Sequence, residues 1–161
     1  MLTEFYAAVD ALATRLHETH AARLKCGRGC SSCCVEGLTV YAIEAGNIQN
    51  RHAGLLTQNT PHEPGACAFL DQAGACRIYA SRPYVCRTQG LPLRWLEEID
   101  DETLVEMRDI CPLNEAGEPI EELPEEICWT IGPFEETLAQ LQYAADKSMP
   151  RIALRDLFAQ P

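Results

Sequence analysis

Cys26, Cys30, Cys33 and Cys34 fall within nine residues, in the pattern Cys-x3-Cys-x2-Cys-Cys. Thiolates are soft ligands, and zinc or iron held by sulfur needs bonds of about 2.3 Å from side chains that converge on one point. Two or three intervening residues let a turn fold back so that successive sulfurs converge, and Gly27 and Gly29 give the backbone freedom for that turn. Cys33 and Cys34 are adjacent. Neighbouring side chains in extended backbone point opposite ways, so this pair reaches two centres more easily than one. Cys67, Cys76, Cys86 and Cys111 bring the supply to eight thiols, enough for two four-thiolate sites or for one metal cluster with further ligands. These eight are the candidate metal ligands. Cys128, in Ile127-Cys128-Trp129, is expected to be a buried apolar thiol.

Nine cysteines are an odd number, so complete disulfide pairing is impossible, and disulfides are disfavoured where thiols are kept reduced. The N-terminus, Met1-Leu2-Thr3-Glu4-Phe5-Tyr6, lacks the basic start and apolar run of a secretory leader, which makes the reducing cytoplasm the expected compartment. No apolar stretch is long enough for a membrane span. At 161 residues and 47% hydrophobic, the chain is read as one domain, 1–161, around one core.

The formal net charge is −11, unevenly spread. Residues 20–95 carry eight basic and four acidic side chains, whereas residues 96–161 carry four basic and seventeen acidic ones. Lys25, Arg28, Arg77, Arg82 and Arg87 stand beside cysteines, where cations lower thiol pKa and offset the negative charge of a metal–thiolate centre. The acidic final third argues against general nucleic-acid binding and against an anionic membrane surface. The expected partner is the metal ion; no protein partner is legible.

Around the cysteines, the stretch Cys76-Arg77-Ile78-Tyr79-Ala80-Ser81-Arg82-Pro83-Tyr84-Val85-Cys86-Arg87, together with the N-terminal cysteine turn, resembles the YkgJ-type cysteine-cluster family over about residues 26–111. That family is a zinc- or iron-chelating domain with a CxxCxxCC-like motif; the first spacing here is three residues rather than two. The resemblance implies metal chelation and little more. Larger relatives include flagellin lysine methylases, but this chain is short and shows no glycine-rich cofactor loop, so that activity is not carried over.

Two readings of the metal stand beside each other: zinc or iron held for structure, storage, delivery or sensing, and an iron–sulfur cluster in electron transfer or redox catalysis. Radical S-adenosylmethionine chemistry uses a similar three-cysteine spacing but needs a large barrel with the motif after an early strand, which this chain does not offer. Hydrolytic zinc usually has histidine ligands and a nearby general base, and Cys86 beside Arg87 has no histidine linked to it by sequence. His17 and His20 precede Cys26 closely, but helix-surface polarity is the simpler reading. His52 and His62 read as solvated, and Glu44 as a helix-surface carboxylate rather than a base. Pro83 is expected to turn the chain so that Cys86 returns toward the site, with Arg82 donating to carbonyls or to a sulfur.

The elements that must position these residues are read from periodicity. Phe5, Val9, Leu12, Leu16 and Leu24 predict an amphipathic helix over 3–24, with Thr3 at its N-cap. A second helix is expected over about 41–53, ending near Gly54, and a last one over 134–147. Cys67–Leu70 and Ala75–Tyr79 around a Gly-containing turn read as a β-hairpin that brings Cys67 and Cys76 together. Residues 91–97 and 103–111 read as a second strand pair, joined by the acidic stretch 97–102, and 114–126 as a solvated loop. The fold class is α+β, a small antiparallel β element flanked by helices and organised around cysteine-ligated metal.

Overall fold

The structure, a computed structural model, describes residues 1–27, 29–100 and 103–158. Arg28, and Asp101 and Glu102 of the acidic stretch, lie outside the described residues. The chain is α+β, as its periodicities predict, and it falls into two compact units. Among the described residues no helix is long and apolar enough to cross a membrane.

The first unit comprises residues 3–26 and 84–138. Helix α1 (Leu2–Thr19) buries Phe5, Tyr6, Val9, Ala13 and Leu16 along one stripe. It stops five residues short of the predicted end: His20 caps it, and residues 21–23 turn, so Leu24 lies outside the helix. The N-cap is Met1 rather than Thr3. Strands β2 (Leu93–Asp100) and β3 (Thr103–Asp109) form the second predicted pair, antiparallel from Leu93↔Asp109 outward. The two-residue strand β4 (Trp129–Thr130) joins β2 in parallel, giving the order β3-β2-β4. Trp129 is fully buried; its ring stacks on Phe134 at 4.5 Å and its indole N–H donates to the Tyr84 hydroxyl at 3.1 Å. Residues 114–126 are mostly exposed, but they form 3₁₀ turns rather than one free loop, and Asn114 and Leu123 are buried. Arg108 ties this segment down by donating to the carbonyls of Ile120 and Leu123.

The second unit comprises residues 27–83 and 139 onward. Strand β1 (Thr39–Tyr41) pairs antiparallel with β5 (Arg151–Ala153) and runs directly into α2 (Ala42–Gln58). Val40, Ala45, Ile48, Phe69, Leu70, Ile78, Leu154 and Leu157 form its core. Helix α2 passes Gly54, kinking at His52 (φ −127°, ψ 26°), because core contacts at Leu56 reward its continuation. Glu44, expected on the surface, is buried at 3% exposure. The predicted hairpin over 67–79 shrinks to one bridge, Leu70↔Cys76. The Asp71 carboxylate accepts the N–H groups of Ala73 and Ala75, both at 2.8 Å, which makes a compact turn with little strand on either side. Arg155 pins the neighbouring irregular chain, donating to the carbonyls of His62 (2.7 Å) and Ala66 (3.1 Å) and pairing with Glu36 at 2.5 Å. Helix α4 (Ile131–Ala145) contributes its later residues to this unit, where the fully buried Gln142 accepts the Ile43 N–H at 3.0 Å.

Candidate metal centre

Five of the eight candidate ligands, Cys30, Cys33, Cys34, Cys67 and Cys76, belong to the second unit. Two tight turns shape the first of them: the Cys30 N–H bonds the Gly27 carbonyl at 3.0 Å, and the Cys34 N–H bonds that of Ser31 at 2.9 Å. The next cysteine is brought to this turn by backbone, since the Cys67 N–H donates to the Cys34 carbonyl at 2.9 Å. Cys76 follows through its bridge with Leu70, just after the turn around Asp71.

The thiols then act on one another. A hydrogen bond from Cys34, aided by the backbone at Cys33 and by the Arg82 charge, outweighs burial and pulls the Cys33 pKa down to about 6. Burial pushes the Cys67 thiol up; the Phe69 N–H and the charges of Arg155 and Arg77 oppose that rise, and ionised Cys33 adds to it. Burial likewise raises Cys76, where the Ile78 N–H, Arg82 and Arg77 pull down and Cys67 pushes up. Cys33, Cys34, Cys67 and Cys76 are therefore one electrostatic group, with backbone N–H groups two residues on aimed at two of its sulfurs. Arg77 is held against the Ala68 carbonyl at 2.7 Å, and Arg82 stacks over the Tyr79 ring at 3.7 Å and donates to the Tyr79 carbonyl. The sequence expectation that Arg82 donates to a carbonyl is met there.

Cys26, Cys86 and Cys111 belong to the first unit. Cys86 sits on the short helix α3 (Tyr84–Arg87), anchored by Arg87, which reaches both carboxylate oxygens of Asp10 (2.8 and 2.6 Å) and stacks on Tyr6 at 4.0 Å. Arg87 is thus a structural cation here. Cys111 opens the 3₁₀ turn Pro112–Asn114. The Cys26 sulfur accepts a hydrogen bond from the Asn114 side-chain amide at 3.2 Å and abuts Gly90. Asn114 gave little sequence signal: Pro112 directly after Cys111 marks a turn, but nothing local says that its third residue is wholly buried.

The remaining candidates fall elsewhere. Cys128 is buried, though not in apolar surroundings: Arg108 donates to its sulfur at 3.4 Å, while burial raises its pKa. His20 is no surface residue. It is buried, with Nε2 at 2.6 Å from the Ile127 carbonyl, a role that occupies the ring in holding the α1 end. His17 is exposed, and His52 and His62 are half-buried; the Nε2 of His52 is enclosed without a hydrogen-bond partner. Among the described residues, no three Cys, His, Asp or Glu side chains already stand around a common point as a filled metal site would hold them. The fit to a soft metal rests on donor chemistry: grouped thiols, N–H groups pointing at sulfur, and guanidinium groups that offset thiolate charge.

Residues 25–112 match the CxxCxxCC family, described as "Putative zinc- or iron-chelating domain". The chain belongs to that family. The match covers more than half of the chain and takes in all eight candidate ligands, leaving Cys128 and Asn114 outside it. No curated protein and no solved structure matches the chain.

Proposed function

We propose that this chain is a metal-binding module that holds zinc or iron through cysteine thiolates, with Cys26, Cys30, Cys33, Cys34, Cys67, Cys76, Cys86 and Cys111 as its ligands. The observation that carries the reading is that the backbone returns Cys67 to Cys34, N–H to carbonyl at 2.9 Å, and sets Cys76 beside Leu70 in the same unit, where these thiols act on one another. Four thiolates saturate a tetrahedral zinc, and such closed sites are structural rather than catalytic. Cys30 belongs to the same unit as Cys33, Cys34, Cys67 and Cys76, and Cys26, Cys86 and Cys111 to the other. The chain works as one module in a reducing compartment, since thiolates serve as ligands only while reduced.

Arg77, Arg82 and Arg155, acting on the same thiols, favour a second reading, an iron–sulfur cluster whose negative charge and potential they would tune. Elemental analysis and a visible spectrum on protein purified without oxygen decide between the two. Colourless protein with zinc supports the first; brown protein with matching iron and sulfide supports the second. In either case Cys33→Ser, Cys67→Ser and Cys76→Ser lower the bound metal, while Cys128→Ala retains it. Wild-type metal content in all three serine variants sinks the assignment.

A further inference from the structure

Asn114 is fully buried, and both polar atoms of its side chain are used. Its side-chain Oδ1 accepts the Lys25 backbone N–H at 2.7 Å, and its Nδ2 donates to the Gly90 carbonyl at 2.8 Å and to the Cys26 sulfur at 3.2 Å. Its own backbone N–H donates to the Cys111 carbonyl at 2.7 Å. The amide cannot be turned over: a backbone N–H requires the oxygen on one side, and a backbone carbonyl requires the NH2 on the other. The atom facing the Cys26 sulfur is therefore a donor. Gly90 closes the same space. Its φ is +93°, and a β-carbon there would lie 2.7 Å from the Cys26 sulfur and 3.2 Å from the Asn114 amide nitrogen.

We propose that Asn114 is a positioning residue for metal binding: its side-chain N–H fixes the Cys26 sulfur, and its backbone N–H fixes the turn that begins at Cys111, before metal arrives. This rests on the reading that Cys26 and Cys111 are ligands. Outer donors of this kind orient the ligands they touch, and losing one typically costs about 10–100-fold in metal affinity. A neutral amide does not compete with thiolate for a soft metal, so Asn114 acts through Cys26. The working unit thus extends beyond the matched segment.

The test compares wild type, Asn114→Ala, Asn114→Asp, Cys26→Ser and the double variant Asn114→Ala/Cys26→Ser. Zinc affinity is read by competition with a coloured chelator, cobalt(II) binding by its thiolate charge-transfer band, and the metal-free fold by circular dichroism. The Asp variant keeps the acceptor for Lys25 and puts an oxygen against the sulfur, so it tests the donor even if the Ala variant does not fold. Expected are a loss of about tenfold or more in zinc affinity for both Asn114 variants, a shifted cobalt band, and no further loss from Asn114→Ala once Cys26 is serine. An equal loss in both backgrounds, or an unchanged affinity and band, overturns the proposal and leaves Asn114 a packing residue. Zinc binding by wild type but equally by Cys26→Ser also overturns it, without touching the other thiols. No zinc or cobalt binding by wild type overturns the metal-binding reading itself.

Discussion

Gly90 has a left-handed backbone in a space already filled by the Cys26 sulfur. Any side chain there meets two costs at once, the strain of φ near +93° and the overlap with sulfur. Gly90→Ala is expected to destabilise the protein by about 2–4 kcal/mol, the sum of a left-handed residue and a modest overpacking. Chemical denaturation of the reduced protein measures this, and an effect near zero would mean that the backbone at 90 relaxes and the Cys26 side chain swings out of the way together. The residue types at this place tell little on their own. Gly90 reads as one more turn glycine and Asn114 as one more loop polar residue, until Lys25, Gly90 and Cys26 are seen to converge on a single side-chain amide.

Within the β2–β3 hairpin, the register sets Arg94 directly opposite Arg108, a like-charge pair that a sheet does not favour. Glu106 resolves it by bonding Arg94 at 2.6 Å and Arg108 at 2.5 Å, and Glu125 adds a second carboxylate to Arg94 at 3.0 Å. The Arg94 bond first, then Arg108, holds the Glu106 carboxyl below its usual range. A carboxylate with a depressed folded-state pKa stabilises above its ordinary unfolded value, and that contribution is lost as pH falls through the folded value. Acidifying from neutrality to below the carboxylate range should therefore lower the melting temperature of wild type more than that of Glu106→Gln. Identical pH profiles would show that the two arginines find other partners. This hairpin was legible as two short runs joined by an acidic stretch, whereas β4 is too short at two residues to leave a pattern. The hairpin expected over 67–79 is reduced to the bridge Leu70↔Cys76, its turn closed by the Asp71 side chain. Yet its functional consequence, Cys67 near Cys76, survives in the coupling of the two thiols.

Over the whole molecule, the described residues between Thr19 and Thr39 and between Gln58 and Tyr79 contain no helix or strand beyond one isolated bridge pair. These two stretches carry six of the eight candidate ligands. Chain without its own ladder of hydrogen bonds depends on other ties, and metal–thiolate bonds are strong ones that couple binding to folding. Stripping metal with a chelator under reducing conditions should expose residues 27–38 and 59–66 to protease first, while the core around Val40, Ile48 and Phe69 resists longer. Limited proteolysis with mass spectrometry reads the order of cuts. An identical cleavage pattern with and without metal would show that the side-chain ties, Arg155 foremost, hold these stretches alone.

From the sequence by itself came the soft-metal chemistry, the family, the α+β class and the sites of the three long helices. Cysteine spacing and hydrophobic periodicity are local properties, written along the chain within a few residues of one another. Tertiary structure decided that Cys67 returns to the turn at Cys34, that His20 and Glu44 are buried, that Cys128 faces Arg108, and that Asn114 donates to the Cys26 sulfur. Each of these depends on contacts between distant segments, such as the Cys67 N–H on the Cys34 carbonyl and the Lys25 N–H on Asn114. Residue type and spacing state what a side chain can do; only the return of one loop upon another supplies the partner with which it does it.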